Sequence, residues 1–187
     1  MTMKLLKKSI IFTALLATVV LGSCGDDPTG PTEGEGDWLE YTVDDFTFEW
    51  LVEDSSNTIR VKITAPSTGW VAVGFDPTLV MNEANLIIGY VSGGSVNIRD
   101  DFGTGQFSHD ADTNLGGTND VETISGSESG TNVETTLEFR IPLDSGDQYD
   151  KALVDGNTYT FIFAYGNNDA DDYTSAHAWA ESASFEL

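Results

Sequence analysis

The chain has 187 residues, with 31 acidic against 8 basic side chains, a formal charge of −23 and one cysteine, Cys24. A lone cysteine excludes an internal disulfide, a C-x-x-C-H haem attachment and any cysteine-built zinc or iron–sulfur centre. So acidic a surface repels nucleic acid and anionic membranes, and it favours solubility or a cationic partner such as a basic redox protein.

Residues 1–24 read MTMKLLKKSIIFTALLATVVLGSC. Lys4, Lys7 and Lys8 precede an apolar run from Ile10 to Leu21, which is too short for a comfortable membrane span. A charged start, a short apolar core and small residues at its end make a secretory signal, expected over residues 1–23. Leu21-Gly22-Ser23-Cys24 closely resembles a bacterial lipobox, which makes Cys24 the expected lipidation site. The expected location is therefore outside the cytoplasm, lipid-anchored to a bacterial membrane, with the outer membrane favoured; Gly25-Asp26-Asp27 is also similar to an acidic surface-export signal. Residues 24–37 are mostly Gly, Pro, Thr and acid, so a disordered tether is expected there. With three of the eight basic residues in the signal, the rest of the chain carries 5 − 31 = −26.

Residues 38–187 have the length of one domain, enough to bury roughly two-thirds of its unfolded surface. Ten strands are expected: 39–43, 47–53, 58–65, 70–75, 86–91, 95–99, 121–125, 132–141, 158–165 and 178–186. Ile59, Val61 and Ile63 alternate with Arg60 and Lys62, and Thr135, Leu137, Phe139 and Ile141 alternate with Thr136, Glu138 and Arg140. Residues 159–165 are apolar or aromatic on both faces, as in a covered central strand. Gly-, Pro-, Asn- and Asp-rich turns separate the segments. The fold class predicted is all-β, an immunoglobulin-like antiparallel sandwich. Residues 100–120 are expected to form a long polar loop.

Within this frame, GWVAVGFDPTLVMNEANLIIGYV (69–91) supplies two core strands joined by a loop carrying Met81. A loop held between core strands presents a side chain rigidly. The bland alternative for Met81 is core filler. Asp110-Ala111-Asp112-Thr113-Asn114 starts like a calcium loop, but the glycine and glutamate that should follow are each displaced by one residue, which leaves only an irregular calcium site. Residues 167–172 form a second acidic run, read as a solvated loop. No Gly-x-Ser-x-Gly elbow, P-loop or dinucleotide fingerprint occurs.

Three stretches carry a family resemblance. Gly69–Phe75 is followed by the Met81–Val91 segment; Phe139-Arg140-Ile141-Pro142-Leu143 precedes Gly146-Asp147; and His177 stands before the last strand. In order and spacing the chain resembles the DOMON family, in the haem-binding form found in the cytochrome part of cellobiose dehydrogenase. The resemblance implies a non-covalent b-type haem with Met81 and His177 as axial ligands, and Trp70, Phe75, Tyr90, Tyr165 and Trp179 as its apolar walls. Arg140 would meet a propionate or else be structural. A thioether–imidazole pair leaves no open position on iron and so favours electron transfer to or from a separate redox partner, with no substrate conversion by this chain alone. His177 could instead be surface decoration; His109, in the polar loop, is read as solvated, with the place of His177 as its alternative. The rival functions are a carbohydrate-binding sandwich and a surface interaction lipoprotein without a small ligand.

Overall fold

The computed structural model describes residues 29–33 and 38–187. Cys24 and the expected signal lie outside them. Twelve strands and one short helix follow in order: β1 (Thr29–Glu33), β2 (Leu39–Val43), β3 (Phe46–Glu53), β4 (Thr58–Ala65), β5 (Val71–Phe75), β6 (Asn85–Ser92), β7 (Ser95–Gly105), β8 (Ser108–Ala111), α1 (Asp112–Leu115), β9 (Glu122–Ser129), β10 (Glu134–Pro142), β11 (Thr158–Gly166) and β12 (His177–Glu186). They form two antiparallel six-stranded sheets. Sheet A has the order β1-β2-β3-β4-β10-β9 and sheet B the order β12-β11-β5-β6-β7-β8. The predicted all-β sandwich is the fold observed.

Two segments depart from expectation. Thr29–Glu33, placed in the tether by its composition, pairs with β2 at the edge of sheet A. The register is irregular between Thr29 and Thr32, around Pro31, which has no N–H to donate and is tolerated at a sheet edge. The expected loop 100–120 instead extends β7 to Gly105, returns through β8 and enters α1.

The period-2 readings translate into burial. Ile59, Val61 and Ile63 on β4, and Leu137 and Phe139 on β10, are fully enclosed. Between the sheets the core is mainly aromatic. Phe161 stacks on Phe185 at 4.4 Å between ring centroids, and both contact Phe48. Trp50 stacks on Phe185 at 5.0 Å. Offset aromatic pairs of this kind add about 0.5–1.5 kcal/mol beyond the area they bury.

Phe161 touches rings from both sheets, so truncating it should open a cavity at their interface. Phe161→Ala is expected to cost about 3–5 kcal/mol, read as a lower midpoint in urea unfolding with an unchanged slope.

Candidate functional site

The alternation of sheet B divides its residues between two faces. Val71, Val73, Phe75, Ile87, Phe161 and Phe163 point into the core. Trp70, Ala72 and Ile88 point outward, where they form a second apolar cluster with Tyr90, Ala164, Ala170 and Tyr173. At the centre of this outer face the side chains of Ile162 and Leu86 close over Gly74. A Cβ on Gly74 would come within 2.6 Å of Ile162 and Leu86.

Met81 belongs to this outer face. Gly103 on β7 has its missing side-chain direction outward, and a Cβ there would lie 1.7 Å from the Met81 carbonyl oxygen. The loop therefore crosses the outer surface of the sheet at a point where only glycine fits. Glu83 N–H donates to Gly103 O at 2.8 Å and Gly103 N–H to Ala84 O at 2.9 Å, which ties the loop down. Val80 immediately before Met81 has φ of 57°, and Glu83 has φ of 61°. A β-branched residue in the left-handed region is a strained conformation, of the sort that recurs at ligand clamps. Leu79 and Val80 are 56% and 46% exposed, an apolar tip beside a half-buried Met81.

His177 opens β12 opposite Gly166 and is exposed. It lies in the row of Trp70, since Gly166 N–H donates to Trp70 O at 2.8 Å. Met81 lies over the row of Gly103, Ala84 and Asp76. These rows are six residues apart along β5 (76 − 70), about 20 Å at ~3.3 Å per residue, with β11, β5 and β6 between them sideways. The two side chains flank one face from diagonal corners, and in this conformation they do not converge on one point.

Segment 167–176 covers the ground between them. Trp70 N–H donates to Ala170 O at 3.0 Å, and its indole N–H donates to Ser175 Oγ at 2.9 Å. Tyr173 packs against Tyr90 and lies over the Arg99 guanidinium, 4.2 Å from its ring centroid. The acidic run is thus a folded strap rather than a solvated loop. Its Asp172 accepts from Thr174 N–H and Ser175 N–H, which holds that carboxyl below its usual range.

The other expected wall residues lie elsewhere. Phe75 is enclosed in the core, and Tyr165 stacks on Trp179 at 5.3 Å on the core side of sheet B. Arg140 is on sheet A, paired with Glu53 and Glu122. Those carboxylates raise its pKa, and the whole sandwich separates it from the outer face of sheet B, so its role is structural. Trp70 and Tyr90 alone of the expected walls share a face with Met81 and His177.

Sequence reasoning gave His109 no role beyond that of a stand-in. Asp110 pairs with Phe102, so His109 sits beside Gly103 at the Met81 corner. Its Nδ1 lies 2.5 Å from Asp101 Oδ2, on a fully buried carboxylate that also takes Arg99. A carboxylate on Nδ1 fixes the ring and leaves Nε2 as the outward nitrogen, an arrangement seen behind metal-binding histidines. The signal was legible in principle, since Arg99, Asp101 and His109 share the outward parity of two adjacent strands.

The DOMON domain family matches residues 42–166, two-thirds of the chain, and the chain belongs to it. The matched span includes Met81 and His109 and ends before His177. Comparison with curated proteins finds no match. Among solved structures the chain is similar to the cytochrome b domain of pyranose dehydrogenase from Coprinopsis cinerea, at 14% identity and a TM-score of 0.55 over 76% of each chain. It is also similar to the cytochrome domain of Myriococcum thermophilum cellobiose dehydrogenase, at 13% identity and 0.54, over 86% of this chain and 88% of that one. At these identities the likeness is one of fold.

Because a Cβ at Gly103 collides with the Met81 carbonyl, Gly103→Ala should displace the loop and cost about 1–3 kcal/mol by overpacking. Gly130→Ala, where the added atom meets nothing within 4 Å, should leave the thermal midpoint unchanged, which makes it the control.

Proposed function

We propose that this domain binds one b-type haem on the outer face of sheet B and serves as an electron-transfer module outside the cytoplasm. The observation that carries the reading is the Met81 loop. It is a strained turn pinned over Gly103 at the edge of an apolar face made of Ala72, Ile88, Ile162 and Ala164, with exposed His177 at the far corner. The thioether and imidazole donors suit haem iron, and the two structural neighbours are cytochrome domains. Bound between a thioether and an imidazole, the iron would exchange single electrons without opening a site to oxygen.

In this reading Met81 supplies the thioether, and Trp70 and Tyr90 line the apolar surface and exclude water. His177 supplies the imidazole. It directly follows the strap, so movement of residues 167–176 off Trp70 and Ala72 would uncover the floor and carry His177 inward together. A second reading keeps the strap in place and takes His109 as the imidazole, favoured by its position at the Met81 corner and by the Asp101 carboxylate on its Nδ1. The acidic surface suits a basic redox partner, and lipidation at Cys24 would hold the domain at the outer membrane.

The test is an absorption spectrum of the full chain, purified in detergent from a haem-supplied host. Wild type should give a six-coordinate low-spin spectrum, and Met81→Ala should convert it to high spin. His177→Ala should do the same in the first reading, and His109→Ala in the second. A folded protein that takes up no haem overturns both. Retardation of that protein in polysaccharide gels would then turn the assignment to carbohydrate binding.

A further inference from the structure

At one end of the sandwich, away from the outer face of sheet B, three carboxylates crowd together. Asp100 points inward from β7, Asp120 lies in the connection from α1 to β9, and Asp150 lies in the stretch between β10 and β11. One oxygen from each falls within 4.8 Å of the others. No Lys, Arg or His forms an ion pair with any of them among the described residues.

The groups around them are poorly satisfied in a way that calls for a cation. Asn85, 4% exposed, donates its Nδ2–H to Asp150 Oδ1 at 2.8 Å and so has its amide head against the cluster, yet its Oδ1 has no partner. Asp112, at the start of α1, is fully buried with neither carboxylate oxygen hydrogen-bonded. Asp100 is 1% exposed; Oδ2 accepts from the Asp120 N–H at 3.1 Å, while Oδ1 has nothing. A buried carboxylate with unmet lone pairs beside two others costs several kcal/mol unless it is neutralised or coordinated. Burial first, and the neighbouring carboxylates second, push Asp100 up to about 8 and Asp112 up to about 7. Burial likewise leads in moving Asp150 up to about 6.

We infer that Asp100, Asp120 and Asp150, with Asn85 Oδ1 and Asp112 beside them, form a calcium site. The donors are all oxygen, which selects a hard cation over zinc or copper. Three carboxylate oxygens within 4.8 Å of one another can surround one ion, and a buried, loop-borne set of carboxylates with an amide oxygen suits the flexible all-oxygen shell of calcium better than magnesium, which demands a near-ideal octahedron and keeps several waters. Asn85 makes its amide oxygen a ligand by a simple flip, because the nitrogen now facing Asp150 and the orphan oxygen occupy interchangeable positions. The site is not the Asp110–Asn114 loop suggested by sequence: Asp110 Oδ1 is taken by Ala111 N–H and Asn114 Nδ2–H, and only Asp112 of that run belongs here. A bound ion would join β7, the α1–β9 connection and the 143–153 segment to the first residue of β6, directly after the Met81 loop.

This inference stands apart from the haem reading, and its test needs no haem. The full chain, stripped with EDTA and folded by circular dichroism, is titrated with calcium and separately with magnesium by calorimetry, and its thermal midpoint is followed in parallel. Binding of one calcium per chain is expected, with magnesium at least about tenfold weaker and a midpoint that rises with calcium. Asp100→Asn and Asp150→Asn should each weaken calcium by about tenfold or more and raise the midpoint of the metal-free protein, since each removes a repelling charge. Asp172→Asn, in the strap, should bind calcium as wild type does. The inference is overturned if folded wild type shows no calorimetric binding at millimolar calcium, if magnesium binds equally well, or if Asp100→Asn and Asp150→Asn bind as tightly as wild type.

Discussion

The close approach of the Met81 carbonyl to Gly103 decides what sheet B can do. Sheet–sheet packing alone would leave its outer face as one more solvated surface. Pinning the β5–β6 loop across that face instead sets a thioether-bearing turn above it, at the expense of left-handed backbone at Val80 and Glu83. Strain of this sort persists only where surrounding bonds over-determine it, and here Glu83 and Gly103 supply them. The aromatic core lies beneath: Phe161, Phe163 and Phe185 from sheet B pack ring against ring on Phe48 and Trp50 from sheet A.

Much of the sandwich was legible because burial follows alternation. β4 and β10 present enclosed residues at every second position, and the turns between strands carry the expected chemistry. Residues 100–111 were not legible as strand because the tail of β7 and β8 carry Asp100, Asp101, Asp110 and His109, which mask the periodicity. Arg99 and His109 hold the Asp101 carboxylate and Asn114 holds Asp110, while Asn119 accepts the backbone N–H of Asp100. β1 was missed because a stretch of Thr, Gly, Pro and Glu carries no alternating apolar pattern. Among the site residues, parity was the overlooked signal. Trp70 and Phe75 are five apart on one continuous extended segment, so they cannot face the same side; the same holds for the paired Tyr165 and Trp179 against the outward Ala164.

The strap offered no sequence signal for its packing. Residues 167–172 read as solvated acid, yet Thr68 N–H donates to Asn168 Oδ1, and Asp169 N–H donates to Thr68 Oγ1. Gly69 admits the strap by lacking a side chain, since a Cβ there would stand 2.1 Å from Asn167 O. These are local bonds across about a hundred residues of sequence, visible only once β5 and β11 are paired.

Charge is distributed unevenly between the sheets. Three of the five basic residues beyond the signal, Arg60, Lys62 and Arg140, lie on the outer face of sheet A and are paired with Glu138, Glu49, Glu53 and Glu122. Arg99 alone serves the outer face of sheet B, where Asp101 takes it. The strands of sheet A hold eight glutamates against those three cations, spread over the sheet, while at the end of the sandwich Asp100, Asp112, Asp120 and Asp150 crowd together, and burial with mutual repulsion pushes Asp100 up to about 8. A field set by solubility alone would spread carboxylates over exposed positions, where water screens them. Burying them together under a loop junction costs free energy unless protons or a cation neutralise them, and the calcium inferred above would do so. That cost falls at the root of the Met81 loop, where rigidity matters most for presenting its side chain.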